Sequence, residues 1–599
     1  MHFLQSRTTL TRRASKIGFV ALLLFLDGGT SSPGPPCAVA RGGPSPRSAP
    51  AGAPVARLSR DCMAKSDRSL HILAVQARLM AGSARPSVVA QSGMKVDRWG
   101  RFEVTLENAR SYANPYTDVS LDVIYTRPDG STVSFWGFYD GDGIWKIRFM
   151  PDQVGTWQYQ ARFSDGGGET SGSFTCATST IPGVLTKDTR NPQWFGFPDG
   201  GHLLVRSFHV GDRFFASNWP SSSRAAFLDW AEGQGYNMLS VASHYLNRNV
   251  SGRGAGWDTP DLWPLDAAEF RQLEAMLDDL ASRRMLVYPF AGFFGRNSDY
   301  PTSAADQTRF IRYTLARLGP YWNMLLNVAG PEPNVDNYLA SADVTRLGAE
   351  IQRLDVFAHP LSVHNATGDD PYKESNWSSY GTLQGPKTTS RSSLSDGLLR
   401  NHHPSKPLYA HETLWPGNKY HPAYSEVDIR KNAYVINMSA TALNFADMDG
   451  DSSSGFSGTL DLSRRVQSRH DIVKRVWDFF ASLPFYEMSP RQDLVSTGYC
   501  LVAVGQRYLV YLPSRVTVSV SVTNGSYEVL WINAQNPADR RAGGTTTTGQ
   551  DLAPPADGDD WLLYLTRSDR TRGAQQQAPS VMRVEPGSWR DLPRRQPIR

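Results

Sequence analysis

Between residues 201 and 483, short apolar runs alternate with helical segments, and this alternation constrains the fold more than any other feature. The runs fall at 202–206, 237–241, 285–290, 323–327, 361–364, 376–380, 407–411 and 442–446. Several intervening segments carry clear helix signals. Asp266 and Glu269 form an N-terminal cap pair. Phe270, Leu273, Leu277 and Leu280 follow at helical spacing and make one apolar face. Segments 222–235 and 306–319 behave alike, each closed by glycine. Eight strand–helix repeats in about 280 residues predict a closed parallel (β/α)8 barrel. An open doubly wound sheet would need a glycine-rich phosphate turn after its first strand, and Ser207-Phe208-His209-Val210-Gly211 is not one.

The barrel is too small to account for all 599 residues. Residues 96–180 carry short period-two strands, among them 101–106, 119–125, 145–149 and 157–163, separated by Pro128-Asp129-Gly130, Asp140-Gly141-Asp142-Gly143 and Val154-Gly155. In 119–125, Ile124 is the one apolar residue on the polar face. A second set, at 499–504, 508–512, 516–522 and 527–532, follows a helix at 470–483. Each set predicts an antiparallel β-sandwich. The expected organisation is therefore multidomain α/β plus all-β, with a central (β/α)8 barrel (190–485) flanked by β-sandwiches at 96–180 and 490–566.

The ends read differently. Arg7, Arg12, Arg13 and Lys16 precede the apolar run 17–26, and Ala38-Val39-Ala40 offers a small-residue cleavage site. This is the pattern of a secretory signal over 1–40 and implies a secreted or periplasmic protein. The apolar run is about half of what a membrane span needs, so no stable membrane insertion is expected, with an uncleaved anchor as the alternative. Residues 41–95 read as a linker rich in Pro, Ala, Ser and Arg, and 567–599 as a solvated basic tail. A net charge of +5 is too small to indicate a nucleic-acid partner. The four cysteines are too widely spaced for a zinc site or a disulfide scaffold. The 16 Trp and 24 Tyr suit the C–H faces and hydroxyl rims of sugars, although aromatic residues also fill cores.

Three resemblances follow from motifs. Phe138-Tyr139-Asp140-Gly141, Trp145-Lys146-Ile147-Arg148-Phe149-Met150-Pro151 and Gly155-Thr156-Trp157-Gln158-Tyr159 resemble the immunoglobulin-like accessory domain that precedes bacterial glycosidase barrels. Leu509-Val510-Tyr511-Leu512-Pro513 and Gly525-Ser526-Tyr527-Glu528-Val529-Leu530-Trp531 resemble the small C-terminal β domain, labelled collagen-binding, that follows such barrels. A domain that only buttresses the barrel is the simpler reading of that unit.

The third concerns chemistry. Active sites of such barrels lie at the C-terminal strand ends. Strand four runs through Asn327-Val328-Ala329-Gly330-Pro331 into Glu332, and strand seven ends in His411-Glu412. Cleaving a glycosidic bond through a covalent intermediate takes two carboxyl groups about 5–5.5 Å apart, and strands four and seven face one another across a barrel mouth. The arrangement resembles clan A glycoside hydrolases, within them the apiosidase-like family. That resemblance implies Glu332 as acid/base and Glu412 as nucleophile. Many clan members carry Asn directly before the acid/base, whereas this chain has Pro331 there and Asn327 five residues earlier.

Supporting candidates are His209, Asn327 and His364 for sugar hydroxyls or for holding a carboxylate, with His244 as a further histidine. Trp219, Trp377 and Trp415, with Phe293 and Phe294, are candidates for stacking. Strand alternation points His411 away from Glu412. Asp447 and Asp449 follow strand eight as hydroxyl or cation binders, or as a solvated loop. No metal-ligand spacing, serine elbow or phosphate loop occurs, and no metal or cofactor is expected. The sequence thus predicts a retaining glycoside hydrolase acting on an extracellular polysaccharide or glycan. The alternative is a non-catalytic carbohydrate-binding or adhesion protein on the same scaffold.

Overall fold

A computed structural model describes residues 93–211, 221–241, 263, 265–289, 292–295, 301, 303–335, 339–366, 368–447 and 461–568. The expected signal, most of the linker and the basic tail lie outside these residues.

The N-terminal unit holds seven strands: β1 (Met94–Asp97), β2 (Phe102–Glu107), β3 (Leu121–Thr126), β4 (Thr132–Tyr139), β5 (Ile144–Phe149), β6 (Gly155–Phe163) and β7 (Glu169–Ala177). Their ladder runs β1-β7-β6-β3-β4-β5-β2. β1 lies parallel to β7, and every other pair is antiparallel. β4 changes partners along its length, pairing through its first half with β3 and from Gly137 onward with β5. A Cβ at Gly137 would lie 2.7 Å from the Lys146 carbonyl oxygen, so the switch needs glycine. An aromatic core fills the unit. Phe102 stacks on Phe174 at 4.0 Å, and Tyr125 on Phe149 at 4.2 Å. The alternation read from sequence is visible in β3, where Leu121, Val123 and Tyr125 are buried while Ile124 is 45% exposed.

Eight parallel strands form the barrel: Arg206–Gly211, Met238–Val241, Leu286–Pro289, Leu326–Asn327, Leu361–Ser362, Gly381–Leu383, Leu408–Leu414 and Thr441–Phe445. The ladder is continuous from strand six through seven, eight, one and two to three. Strands three and four meet by a Val287–Met324 bridge and, further along, through Phe294–Gly295 and Ala329–Gly330. Strand four pairs with five. Strands five and six meet where Ser379 N–H donates to the Leu361 carbonyl at 2.8 Å and the Ser362 and Thr382 hydroxyls lie 3.0 Å apart. The ring is nearly closed.

Two strands depart most from their sequence positions. The run at 202–206 divides: His202–Leu203 joins a separate three-stranded sheet with Phe195–Gly196 and Thr186–Lys187, and barrel strand one starts at Arg206. The run at 376–380 is not strand six. Trp377 packs instead on the 341–354 helix, where a Cβ at Gly348 would meet its ring at 2.6 Å, and the strand begins at Gly381. In both cases apolar residues are buried outside the barrel ladder, which periodicity cannot distinguish. Helix signals hold better. The Asp266 side chain accepts from the N–H groups of Ala268 and Glu269 at 3.0 and 3.1 Å and starts Ala267–Ser282. Gly235 adopts φ 83° after the first helix, whereas Gly319 closes Ala304–Leu318 in a right-handed conformation at φ −57°.

A buried ionic network ties the N-terminal unit to the barrel. Arg148 of β5 reaches Glu103 at 2.5 Å and Glu274 of the 267–282 helix at 2.8 Å. Arg317 of the next helix pairs with the same Glu274 and with Asp140 at 2.6 Å. Lys146 bridges Asp140 and Glu103, each at 3.2 Å. Burial raises the Asp140 and Glu103 carboxyls, but the neighbouring cations outweigh it and hold both below the usual range.

The C-terminal sheet orders Ser489–Pro490, Tyr499–Ala503, Arg507–Leu512, Trp561–Arg567, Tyr527–Asn533 and Arg540–Thr546, all antiparallel. Of the run read at 516–522, only Val518–Ser519 is strand. The sheet docks on the 426–438 helix. Arg430 pairs with Asp560 at 3.0 Å, and Tyr434 stacks on Tyr511 at 4.8 Å. No helix among the described residues is long and apolar enough to cross a membrane.

Because Glu274 serves two buried arginines, Glu274→Ala leaves both short of a counter-charge. We expect it to lower stability by about 3–5 kcal/mol, read as the shift in a urea unfolding midpoint. A loss below about 1 kcal/mol, the size of an exposed ion pair, would contradict this.

Candidate active site

Strand four carries the first acid to the rim. Beyond Asn327 the chain continues as Ala329–Gly330, passes a cis Gly330–Pro331 bond, and reaches Glu332 at φ 60°. A non-glycine residue in the left-handed region is uncommon and is held there by its surroundings. Here Glu332 N–H donates to the His364 carbonyl at 3.0 Å, and the Glu332 carbonyl accepts from Val335 N–H at 3.0 Å. Its side chain accepts a hydrogen bond from the Gln384 amide.

Strand seven carries the second. Its register with strand eight shifts between Ala410 and Leu414, and such an irregularity re-aims side chains. His411 and Glu412 are therefore not separated as strict alternation predicts. His411 Nε2 lies 2.5 Å from Ser240 Oγ inside the barrel, and its ring stands 4.8 Å from that of His364. The expectation that His411 points away from Glu412 is corrected. Both contribute ligand-type atoms to one group with His364.

Glu412 is 2% exposed. His364 Nε2 lies 3.3 Å from its Oε1, and the Lys387 ammonium donates to its Oε2 at 3.1 Å. Burial pushes the carboxyl up. The His364 hydrogen bond and the Lys387 charge outweigh it, so the carboxylate is held far below its ordinary range. Burial and the neighbouring histidines push His411 well below its usual value, leaving it neutral.

The two acids share partners. Glu332 is bound through the backbone of His364, and Glu412 faces the imidazole of the same residue. Gln384 and Lys387, from one segment after strand six, each touch one carboxylate.

The other predicted residues separate into groups. His209 is buried within strand one rather than after it, 3.1 Å from Ser240 Oγ and stacked on Trp415 at 4.3 Å. Asn327 donates to the Tyr288 hydroxyl at 3.2 Å inside the barrel. Trp415 is fully buried, stacked on His209 and parallel to His421, so it presents no open face for a sugar. Trp377 lies outside the barrel against Gly348 and Tyr372 and is corrected as a stacking candidate. Phe293 and Phe294 are core residues, Phe294 against Phe310. Asp447 is neither solvated nor open: it accepts from Val466 N–H at 2.6 Å and pairs with Arg469 at 3.2 Å, where the last barrel helix starts. Trp219, His244 and Asp449 lie outside the described residues.

Gln384, Lys387, Ser240 and Tyr288 escaped the sequence reading. The run at 376–380 puts the rim of strand six three residues before its true end at Leu383. Gly381-Thr382-Leu383, the true strand, is too small and short to stand out.

His364, His411 and Glu412 bring one ligand-type atom each within 4.8 Å of one another, although no metal spacing exists in the sequence. The Lys387 ammonium already places a positive charge on Glu412 Oε2.

A family model described as Domain of unknown function (DUF5060) matches residues 95–164. No curated protein matches. Among solved structures, a candidate glycoside hydrolase from Bacteroides vulgatus is similar at TM-score 0.63 and 18% identity, over 79% of this chain and 100% of that one. A glycoside hydrolase family 5 protein from the same organism is similar at TM-score 0.52 and 13% identity, over 67% and 97%. A third, named only as a glycoside hydrolase, reaches TM-score 0.51 at 11% identity, over 65% and 99%. The fold is glycosidase-like. At these identities the likeness concerns the fold alone.

Ionised Glu412 contributes stability because its folded carboxyl titrates below the ordinary value of 4.5. That contribution is complete above 4.5 and is lost as pH falls through the folded value. The melting-temperature gap between the native chain and Glu412→Gln is therefore expected to narrow from about pH 6 to about pH 3. A gap that widens toward acid would contradict the assignment.

Proposed function

We propose that the chain is a retaining glycoside hydrolase that cleaves O-glycosidic bonds of an extracellular polysaccharide or glycan. The observation that carries this reading is the unequal treatment of two acids around His364. Glu412 is held ionised by an imidazole and an ammonium, whereas Glu332 meets the neutral amide of Gln384. That difference suits a nucleophile and a proton donor.

In the first step a Glu412 carboxylate oxygen bonds to the anomeric carbon. The bond to the leaving oxygen breaks, and the Glu332 proton passes to that oxygen. In the second, Glu332 takes a proton from water, and the water oxygen displaces Glu412. His364 holds Glu412 from one side, and Gln384 orients Glu332. Asn327, tied to the Tyr288 hydroxyl, braces strand four below the acid, and His209 with Trp415 packs beneath strand seven.

We further assign the chain to the apiosidase-like branch of clan A. Its N-terminal immunoglobulin-like sandwich and C-terminal β domain are accessory, and residues 1–40 are a secretory signal. The family 5 likeness, with Glu332 just beyond strand four and Glu412 near the C-terminal end of strand seven, supports the clan assignment.

Replacing Glu332 or Glu412 by Gln should lower kcat about 10²–10⁴-fold or more, as loss of a positioned acid or nucleophile does. Azide should restore turnover to Glu412→Ala with an inverted glycosyl azide, and to Glu332→Ala with a retained one. NMR of the first-formed anomer reads the stereochemistry directly. Undiminished hydrolysis by either Gln variant would remove that residue from the mechanism, and an inverted wild-type product would remove the covalent intermediate.

A further inference from the structure

We propose that Lys387 makes the site selective for glycans that carry an anionic group on the sugar attacked by Glu412. The inference rests on the retaining mechanism proposed above and names the substrate class of that site.

The argument follows charge through the reaction. Before attack, Lys387 and Glu412 form a pair at 3.1 Å, with a fifth of the lysine side chain exposed and the glutamate side chain 3% exposed. The ammonium has three donors, and among the described residues its acceptor is Glu412 Oε2. When Glu412 bonds to the anomeric carbon, its carboxylate becomes a neutral ester. The negative charge is not lost but reappears on Glu332, which has given its proton to the leaving oxygen. Glu332 is held by Gln384, not by Lys387. The covalent intermediate thus removes the counter-charge from the ammonium of a partly buried lysine.

Among the described residues, no neighbouring protein group is seen to replace it. The nearby imidazoles of His411 and His421 carry no negative charge in either protonation state, so neither supplies an anion. The acids of the helix after strand seven are committed elsewhere, Asp428 to Arg391 at 2.6 Å and Glu426 to Ser468 at 2.5 Å. A partly buried charge that loses its partner is less stable than a paired one. With no other anion on Lys387 among the described residues, a carboxylate or sulfate on the bound sugar would supply the compensation beside the nucleophile, and it would strengthen its hold on Lys387 as Glu412 is neutralised. Such an interaction grows toward the transition state and therefore raises kcat/KM.

The test uses the full chain with matched nitrophenyl glycosides: glucoside against glucuronide, galactoside against galacturonide, and each neutral sugar against its 6-sulfate, in both anomeric forms. Neutral and uronate-rich polysaccharides are screened in parallel. In the productive pair, kcat/KM for the acidic member is expected to exceed the neutral one by about ten-fold or more. The uronide and sulfate arms show which anion is used. Lys387→Gln should abolish the preference, and Lys387→Arg should keep it, the pair guarding against a variant that fails to fold.

Preference for the neutral member, or a preference that survives Lys387→Gln, overturns this inference and leaves the glycosidase reading intact. Absence of hydrolysis across every glycoside and polysaccharide sinks both.

Discussion

Parallel closure is the constraint on which the rest depends. Once eight strands run the same way round one nearly closed ring, every strand must end on the same rim. Residues distant in sequence then meet without any local device. Strand four delivers Glu332, strand five His364, the segment after strand six Gln384 and Lys387, and strand seven Glu412. Local adjustments add to this: Glu332 sits at positive φ, and the shifted register after Ala410 turns two successive side chains toward a shared neighbourhood.

The ring does not stand alone. Arg148 and Arg317 draw one carboxylate, Glu274, between a strand of the N-terminal unit and two barrel helices. Sliding of the two units would leave a buried charge without its partner, which is strongly unfavourable. The aromatic core of the N-terminal unit reaches the same boundary, with Phe135 against Phe357 at 5.2 Å.

Much of this was legible in the sequence, and the losses have physical causes. Period-two runs such as Leu121–Thr126 and capped helices such as Ala267–Ser282 declare themselves locally, because burial on one face leaves a pattern. Strands buried on both faces leave none, so the apolar 376–380 run imitates strand six. β4 escaped because Gly137 interrupts its alternation where it changes partner. The two acids were readable because each ends an apolar run. Lys387 and Gln384 were not, since their positions depend on where strand six truly stops. Aromatic candidates fared worst: Trp377 and Trp415 are large enough for a sugar platform, but both are consumed by packing.

The attachment of the C-terminal sheet bears on how such a chain can be rearranged. Its contact helix, Glu426–Met438, sits between barrel strands seven and eight and so directly follows the segment bearing Glu412. Asp560, wholly enclosed, receives both Arg430 from that helix and the Tyr511 hydroxyl from its own sheet. Excising the terminal module would uncover Tyr434 and strand a guanidinium on the wall that backs Glu412. The module therefore behaves as an outer layer of the barrel rather than a cassette, and exchange between proteins would have to move it together with the strand seven to strand eight crossover.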